Sequence, residues 1–188
     1  IKDLKKKIKS TKGTLKITTA MKLVSAAKMA KAQASITSSR PYATELERTI
    51  KTISALVQNY SNKLLEPSKG DKTLVLVISA NKGLCGGFNA QLGKEIRRFI
   101  GEEEGEVKVS FIGKKLRDLF KGEFDEETFY TFDANEGSYA DLKKIGEDLC
   151  KDFLKNKYKK VYVAYNVFQS AISFIPTVKQ LLPLELKE

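Results

Sequence analysis

The first sixty residues, Ile1 to Tyr60, constrain this chain more than anything after them, because they contain no glycine beyond Gly13 and a single proline, Pro41. Alanine, lysine, serine, threonine and leucine make up most of the rest, and this composition reads as one very long helix. At about 1.5 Å of rise per residue, sixty helical residues would reach roughly 90 Å, far more than the diameter of the domain the remaining residues could build. Apolar or small side chains recur three and four apart in two runs, Ile1, Leu4, Ile8, Thr11, Leu15 and then Ala43, Leu46, Ile50, Ile53, Val57, Tyr60. Both runs fit a coiled-coil seam. Ile17, Met21 and Val24 read as a continuation of the stripe between them, and the alanine-rich stretch Ala26–Ala34 makes the helix slender there. Pro41 removes one backbone donor, so a bend is expected near it, with Thr37, Ser38 and Ser39 offering hydroxyls to the freed groups.

Charge is concentrated on the same stretch. From Ile1 to Arg40 there are eleven Lys or Arg and one acid, Asp3, a net of +10, whereas the whole chain carries +11. Such a helix suits three partners: a nucleic-acid backbone, plain solvent, or an acidic protein. The first lacks aromatic side chains for base stacking within Ile1–Arg40 and any reader motif, and the regular seam favours an acidic protein partner.

After a linker over 61–72, rich in Asn, Pro, Ser and Gly, residues 73–188 read as an α/β domain with a doubly wound, mostly parallel sheet. Thr73–Ser79 is a continuous apolar run suited to a central strand buried on both faces. A glycine-rich turn containing Gly83, Gly86 and Gly87 follows, then a helix with Leu92, Ile96 and Phe99, capped in expectation by Asn89. Strands are expected at Val107–Ile112, Thr128–Phe132 (nearer an edge) and Val161–Val167. A short helix lies around Leu116–Phe120, and a last extended segment spans Ile172–Leu184, broken by Pro176 and Pro183. Ser138 with Asp141 resembles a capping box opening a helix whose Leu142, Ile145, Leu149 and Phe153 share one face.

Several chemistries are excluded. The chain has no histidine, so it has no Ser-His-Asp triad, Cys-His pair or histidine metal site. Cys85 and Cys150 have no zinc spacing and read as buried thiols. No run of about 18 apolar residues is present, so no membrane-spanning helix is expected. The Gly83-x-x-Gly86-Gly87 pattern is neither a dinucleotide fingerprint nor a Walker loop, and its glycines read as permitting a tight strand-to-helix crossover. Glu102–Glu104 and Glu126–Glu127 read as solubilising carboxylates in loops. No catalytic constellation, cofactor site or metal site emerges.

Particular blocks then carry a resemblance. Ile8-Lys-Ser-Thr11, Lys16-Ile-Thr-Thr-Ala-Met-Lys-Leu-Val-Ser-Ala-Ala-Lys-Met29, Ser39-Arg-Pro-Tyr42, the turn Ser79–Asn89 and the ending from Ile175-Pro-Thr to Leu181-Leu-Pro183 together resemble the γ subunit of bacterial F-type ATP synthases. The resemblance implies a non-catalytic central-stalk rotor, in contact with the α, β and ε subunits and the c-ring, peripheral to the membrane and free of cofactors and nucleic acid. It implies that Lys9, Lys12, Lys16, Met21 and Lys22 face the acidic levers of β, that Leu46, Ile50, Ile53 and Val57 belong to a coiled-coil seam, and that Gly83, Gly86 and Gly87 form a structural turn. In the family the N-terminal helix pairs with a long C-terminal helix. Since this chain runs from Ile1 to Glu188, the resemblance implies a piece of a longer protein, whose seam in isolation is expected to pair with another copy or to fray.

Overall fold

The structure is a computed structural model and describes residues 1–56, 61–132 and 137–184; Val57 and Tyr60 of the expected seam lie outside them. The chain divides into two units near residue 58. The first is one α-helix, α1, over Lys2–Leu56, 55 residues that run through Pro41 without interruption. Thr37, Ser38 and Ser39 do not serve the groups freed by the proline. Their hydroxyls donate back to the carbonyls of Gln33 and Ser35 at 2.8–3.0 Å, the nearest acceptors a short side chain on a helix can reach.

The second unit is a five-stranded sheet with helices on both faces. Its strands are β1 (Lys72–Ile78), β2 (Glu106–Ile112), β3 (Asp125–Tyr130), β4 (Tyr158–Ser170) and β5 (Ser173–Leu182). They lie in the order β3-β2-β1-β4-β5, with all neighbours parallel except the β4–β5 hairpin. Three helices alternate with them: α2 (Phe88–Glu102), α3 (Lys114–Leu119) and α4 (Tyr139–Leu154).

β1 is apolar from Leu74 to Val77 because it is central and covered twice. Val75 and Val77 face Leu92 and Ile96 of α2 and Leu116 of α3, together with Val109, Phe111, Phe120 and Ala164. Leu74 and Leu76 face Ile145, Leu149 and Phe153 of α4, with Val161 and Leu182. Each such side chain removed from water contributes roughly 1.5–3 kcal/mol. Leu142, expected on the same face of α4, lies in the first turn of the helix and is about half exposed.

The capping box of α4 is present. The Asp141 N–H donates to Ser138 Oγ at 3.2 Å and the Ser138 N–H donates to Asp141 Oδ2 at 2.9 Å. The expected cap of α2 is not. Gly87 is its N-cap, without a side-chain bond, and Asn89 turns back to accept from the Ala80 N–H at 3.2 Å.

β3 begins three residues earlier than its apolar pattern announces, because each carboxylate at its start meets a cation from another element. Lys108 holds Asp125, Arg117 holds Glu126 at 2.9 Å, and Lys157 holds Glu127 at 2.6 Å. Glu126 and Glu127 are therefore strand residues, not loop carboxylates. Glu103 likewise accepts from the Thr73 hydroxyl at 3.2 Å and lies 3.8 Å from Lys160. Pro176 does not end the last strand. It pairs with Asn166 inside β5, an edge strand, where a missing N–H is tolerated. Both cysteines are free. Cys85 is exposed, contrary to the buried thiol expected from composition, because it sits in the turn before α2; Cys150 is half-buried in α4.

Candidate partner-binding surfaces

Nearly every described side chain of α1 is exposed, including apolar ones: Leu15 is 64% exposed, Met21 46%, Leu46 47% and Ile53 53%, while Ile50 is half-buried. A row of large apolar side chains this exposed makes the helix a candidate interaction surface. Because α1 is unbroken, its heptad can be counted from end to end. With Ile1 at position a, the two apolar runs share one register: six whole heptads separate Ile8 from Ile50, both at a. Thr11 and Thr18 occupy d positions, and their hydroxyls donate to the carbonyls of Lys7 and Thr14 at 2.9 and 3.0 Å. Satisfied that way, they leave their methyl groups as the surface the seam can use.

The middle of the helix departs from the expected stripe. Ile17, Met21 and Val24 lie off the seam, at c, g and c, while the seam positions there are Thr18, Lys22 and Ser25. Sequence reading missed this because spacing was followed locally; counting the register through the unbroken helix finds it. α1 thus carries a seam at each end, a polar stretch of seam between them, and a second apolar patch on a different face.

The five residues expected to face one partner do not share a face. Lys9, Lys12 and Lys16, with Lys5, surround Ile8 and Gly13 in a shallow groove, since positions three and four apart lie side by side. At about 100° per residue, Met21 lies roughly 150° around the helix from that lysine row and Lys22 roughly 110° the other way. Lys22 falls on the seam. Gly13, at the groove floor, has nothing within 4 Å of where a Cβ would stand.

In the second unit the glycine-rich turn joins β1 to α2 and ties the ends of two strands together. The Ser79 N–H donates to the Ile112 carbonyl at 2.8 Å and the Lys115 N–H to the Ala80 carbonyl at 3.0 Å. The first N–H groups of α3 are served from this turn. Lys114 N–H donates to Asn81 Oδ1 at 3.2 Å and Leu116 N–H to Ser79 Oγ at 3.3 Å. Gly86 adopts φ +56°, a left-handed conformation that favours glycine, and Leu84 adopts φ +61° while 93% exposed. Gly83 and Gly87 have no such φ. The position sequence reading missed is Gly113: it has φ +93°, and a Cβ there would stand 2.0 Å from the Ser79 carbonyl oxygen. Only glycine lets the ends of β1 and β2 approach this closely.

Several basic groups in this unit are matched to carboxylates. Arg97 clasps Glu123 with two bonds of 2.5 and 2.7 Å above the Phe120 ring, and Arg117 lies over Phe129 while holding Glu126. Bonds from Arg97 hold the Glu123 carboxyl below its ordinary pKa, and the Lys108 ammonium does the same for Glu106. Among the described residues no group of His, Cys, Asp and Glu could hold a metal ion, and no helix is long and apolar enough to cross a membrane.

Comparison with known proteins places this architecture. A family model described as ATP synthase matches residues 1–188. The ATP synthase gamma chain of Geobacter metallireducens is 34% identical over 191 residues, covering 100% of this chain and 67% of that one. The gamma chain of Brevibacillus brevis is 36% identical over 196 residues with the same coverage. This chain therefore spans about two thirds of the length of these curated relatives. A chain of the Tetrahymena thermophila mitochondrial ATP synthase central stalk and c-ring structure shares the fold, with a TM-score of 0.66 at 22% identity over 89% of this chain and 72% of that one. The unbroken basic helix, the five-stranded α/β unit and a match along the whole sequence agree: the chain belongs to the ATP synthase gamma chain family.

Proposed function

We propose that this chain serves as the central-stalk rotor subunit of a proton-translocating F-type ATP synthase, coupling rotation of the c-ring to conformational change at catalytic sites on the β subunits. The observation that carries this reading is α1: 55 unbroken helical residues with an exposed seam and a lysine-lined groove, in a chain of the gamma family. A helix of that length, roughly 80 Å, is long enough to transmit torque through a ring of subunits. The seam at Leu46, Ile50, Ile53 and Val57 would pack on a partner helix. The row of Lys9, Lys12 and Lys16 would face acidic levers of β, with Met21 and Lys22 meeting neighbours on other sides of the shaft. Gly83, Gly86 and Gly87 serve a structural turn, supported by the bonds that tie β1, β2 and α3 together there.

On this reading the chain is non-catalytic and needs no cofactor. Its partners are the α, β and ε subunits and the c-ring. It lies at the cytoplasmic face of the bacterial inner membrane, peripheral through the c-ring, and binds no nucleic acid. Replacing Lys9, Lys12, Lys16 and Lys22 together by Glu in a reconstituted enzyme is expected to lower ATP-driven proton pumping at least about ten-fold, as reversed charges meet acidic levers. The α/β unit should keep its circular dichroism and melting. Unchanged coupling would sink the lever-contact role, and tight DNA binding at about 150 mM salt, with no association with α and β, would favour a nucleic-acid arm instead.

A further inference from the structure

We infer that α1 of this chain pairs antiparallel with α1 of a second copy when no other helix occupies its seam. The argument rests on how the layers and charges of one helix match themselves. In an antiparallel pair with a positions facing d positions, Ile8 meets Ile53, Leu15 meets Leu46, Thr11 meets Ile50 and Thr18 meets Ala43. Each of these contacts occurs twice, because a two-fold interface presents the same surface from both copies. The two-fold axis falls between Ala30 and Lys31, flanked on both sides by the layer in which Met29 meets Ala32.

The flanks agree. In this arrangement Lys12 and Glu47, both at e, lie alongside each other, and no like charges face each other at e or g; Glu47 already lies 3.7 Å from Lys51 of its own helix, an exposed pairing that costs little to share. Lys22 meets Ser39 and keeps its ammonium at the edge of the seam. The parallel alternative fails on the same count. It places Lys22 against Lys22 in the core and Lys7 beside Lys12 at the flanks. Nothing among the described residues covers Leu15, Leu46 or Ile53, so the pairing displaces no existing contact.

This goes beyond the shaft reading and does not depend on it: a monomer would overturn the pairing and leave the rotor role untouched. Sedimentation of the whole chain between about 1 and 100 µM is expected to reveal a species of roughly twice 21.0 kDa. Ile53→Asp should weaken it at least about ten-fold while the α/β unit keeps its melting, whereas Lys22→Ser, facing Ser39, should change the dissociation constant by less than about three-fold. Orientation is read in a background of Cys85→Ser and Cys150→Ser, by mixing copies bearing only Leu15→Cys with copies bearing only Leu46→Cys. On oxidation the mixed disulfide should exceed either like-with-like disulfide at least about ten-fold, and Leu23→Cys, off the seam, should replace neither partner. A monomer throughout the range, a predominance of like-with-like disulfides, or a roughly ten-fold tightening by Lys22→Ser, which would relieve a parallel Lys22–Lys22 contact, would each overturn the proposal.

Discussion

The two units of this chain handle the same kinds of residue in opposite ways. In the α/β unit, leucines, valines and phenylalanines pack on both faces of the sheet, and charged strand ends are matched pair by pair, as at Arg117–Glu126 and Lys157–Glu127. In α1, leucines and isoleucines stand in water, and eleven basic residues up to Arg40 share one acid. The lesson is that one unit buries its apolar side chains within itself and the other holds them out to solvent. Helix propensity alone makes long isolated helices marginal, so α1 takes its lasting order from whatever covers its seam.

That contrast can be broken by experiment. The largest expected effect is in amide exchange measured in dilute solution. Amides of Val75–Val77 in β1 should exchange at least about 10³-fold more slowly than those around Leu15 and Ala30, because the former open only with the whole unit. Comparable protection in both places would mean that α1 is already covered. Phenylalanine and leucine truncations come next. Phe153→Ala, at 1% exposure, should cost about 3–5 kcal/mol in denaturant unfolding of the α/β unit, while Leu15→Ala in a dilute monomer should cost less than about 0.5 kcal/mol.

Glycines sharpen the comparison, because the sign reverses. Gly113→Ala should destabilise the sheet by on the order of 3 kcal/mol, since the new Cβ meets the Ser79 carbonyl and φ is +93°. Gly13→Ala, with open space around it, should raise helicity and stabilise α1 by about 1 kcal/mol. The smallest effect expected is in acid. Glu95, Glu106, Glu123 and Asp141 have pKa values lowered by Arg98, Lys108, Arg97 and the Ser138 hydroxyl respectively. Lowered carboxyl pKa values give stability that is present above the unfolded value near pH 4 and lost as pH falls through the folded ones. The melting temperature of the α/β unit should therefore drop between about pH 5 and pH 3, whereas the first 44 residues carry a single carboxyl side chain, that of Asp3.

Much of the fold was legible because it follows local rules. The apolar run of β1, the capping box at Ser138 and the alternation of strands and helices are written in adjacent residues. What was hidden depends on distant ones. The start of β3 looks like a loop until Lys108, Arg117 and Lys157 arrive from three other places to neutralise it. Asn89 looks like a cap until Ala80 offers its N–H, and Gly113 looks like an ordinary stop until Ser79 lies against it. On α1 the residue types were read and their faces were not, because Ile17, Met21 and Val24 have helical spacing among themselves while belonging to another side than the seam.

The paired charges of β3 and the proline of β5 have a further consequence for how copies meet. They stand on the two outer strands of the sheet, the places where a foreign strand would add. Ionised side chains at one border and an absent donor at the other discourage strand-on-strand growth, the route by which exposed sheets form fibres. The two borders of the sheet are thereby guarded against irreversible edge-to-edge stacking.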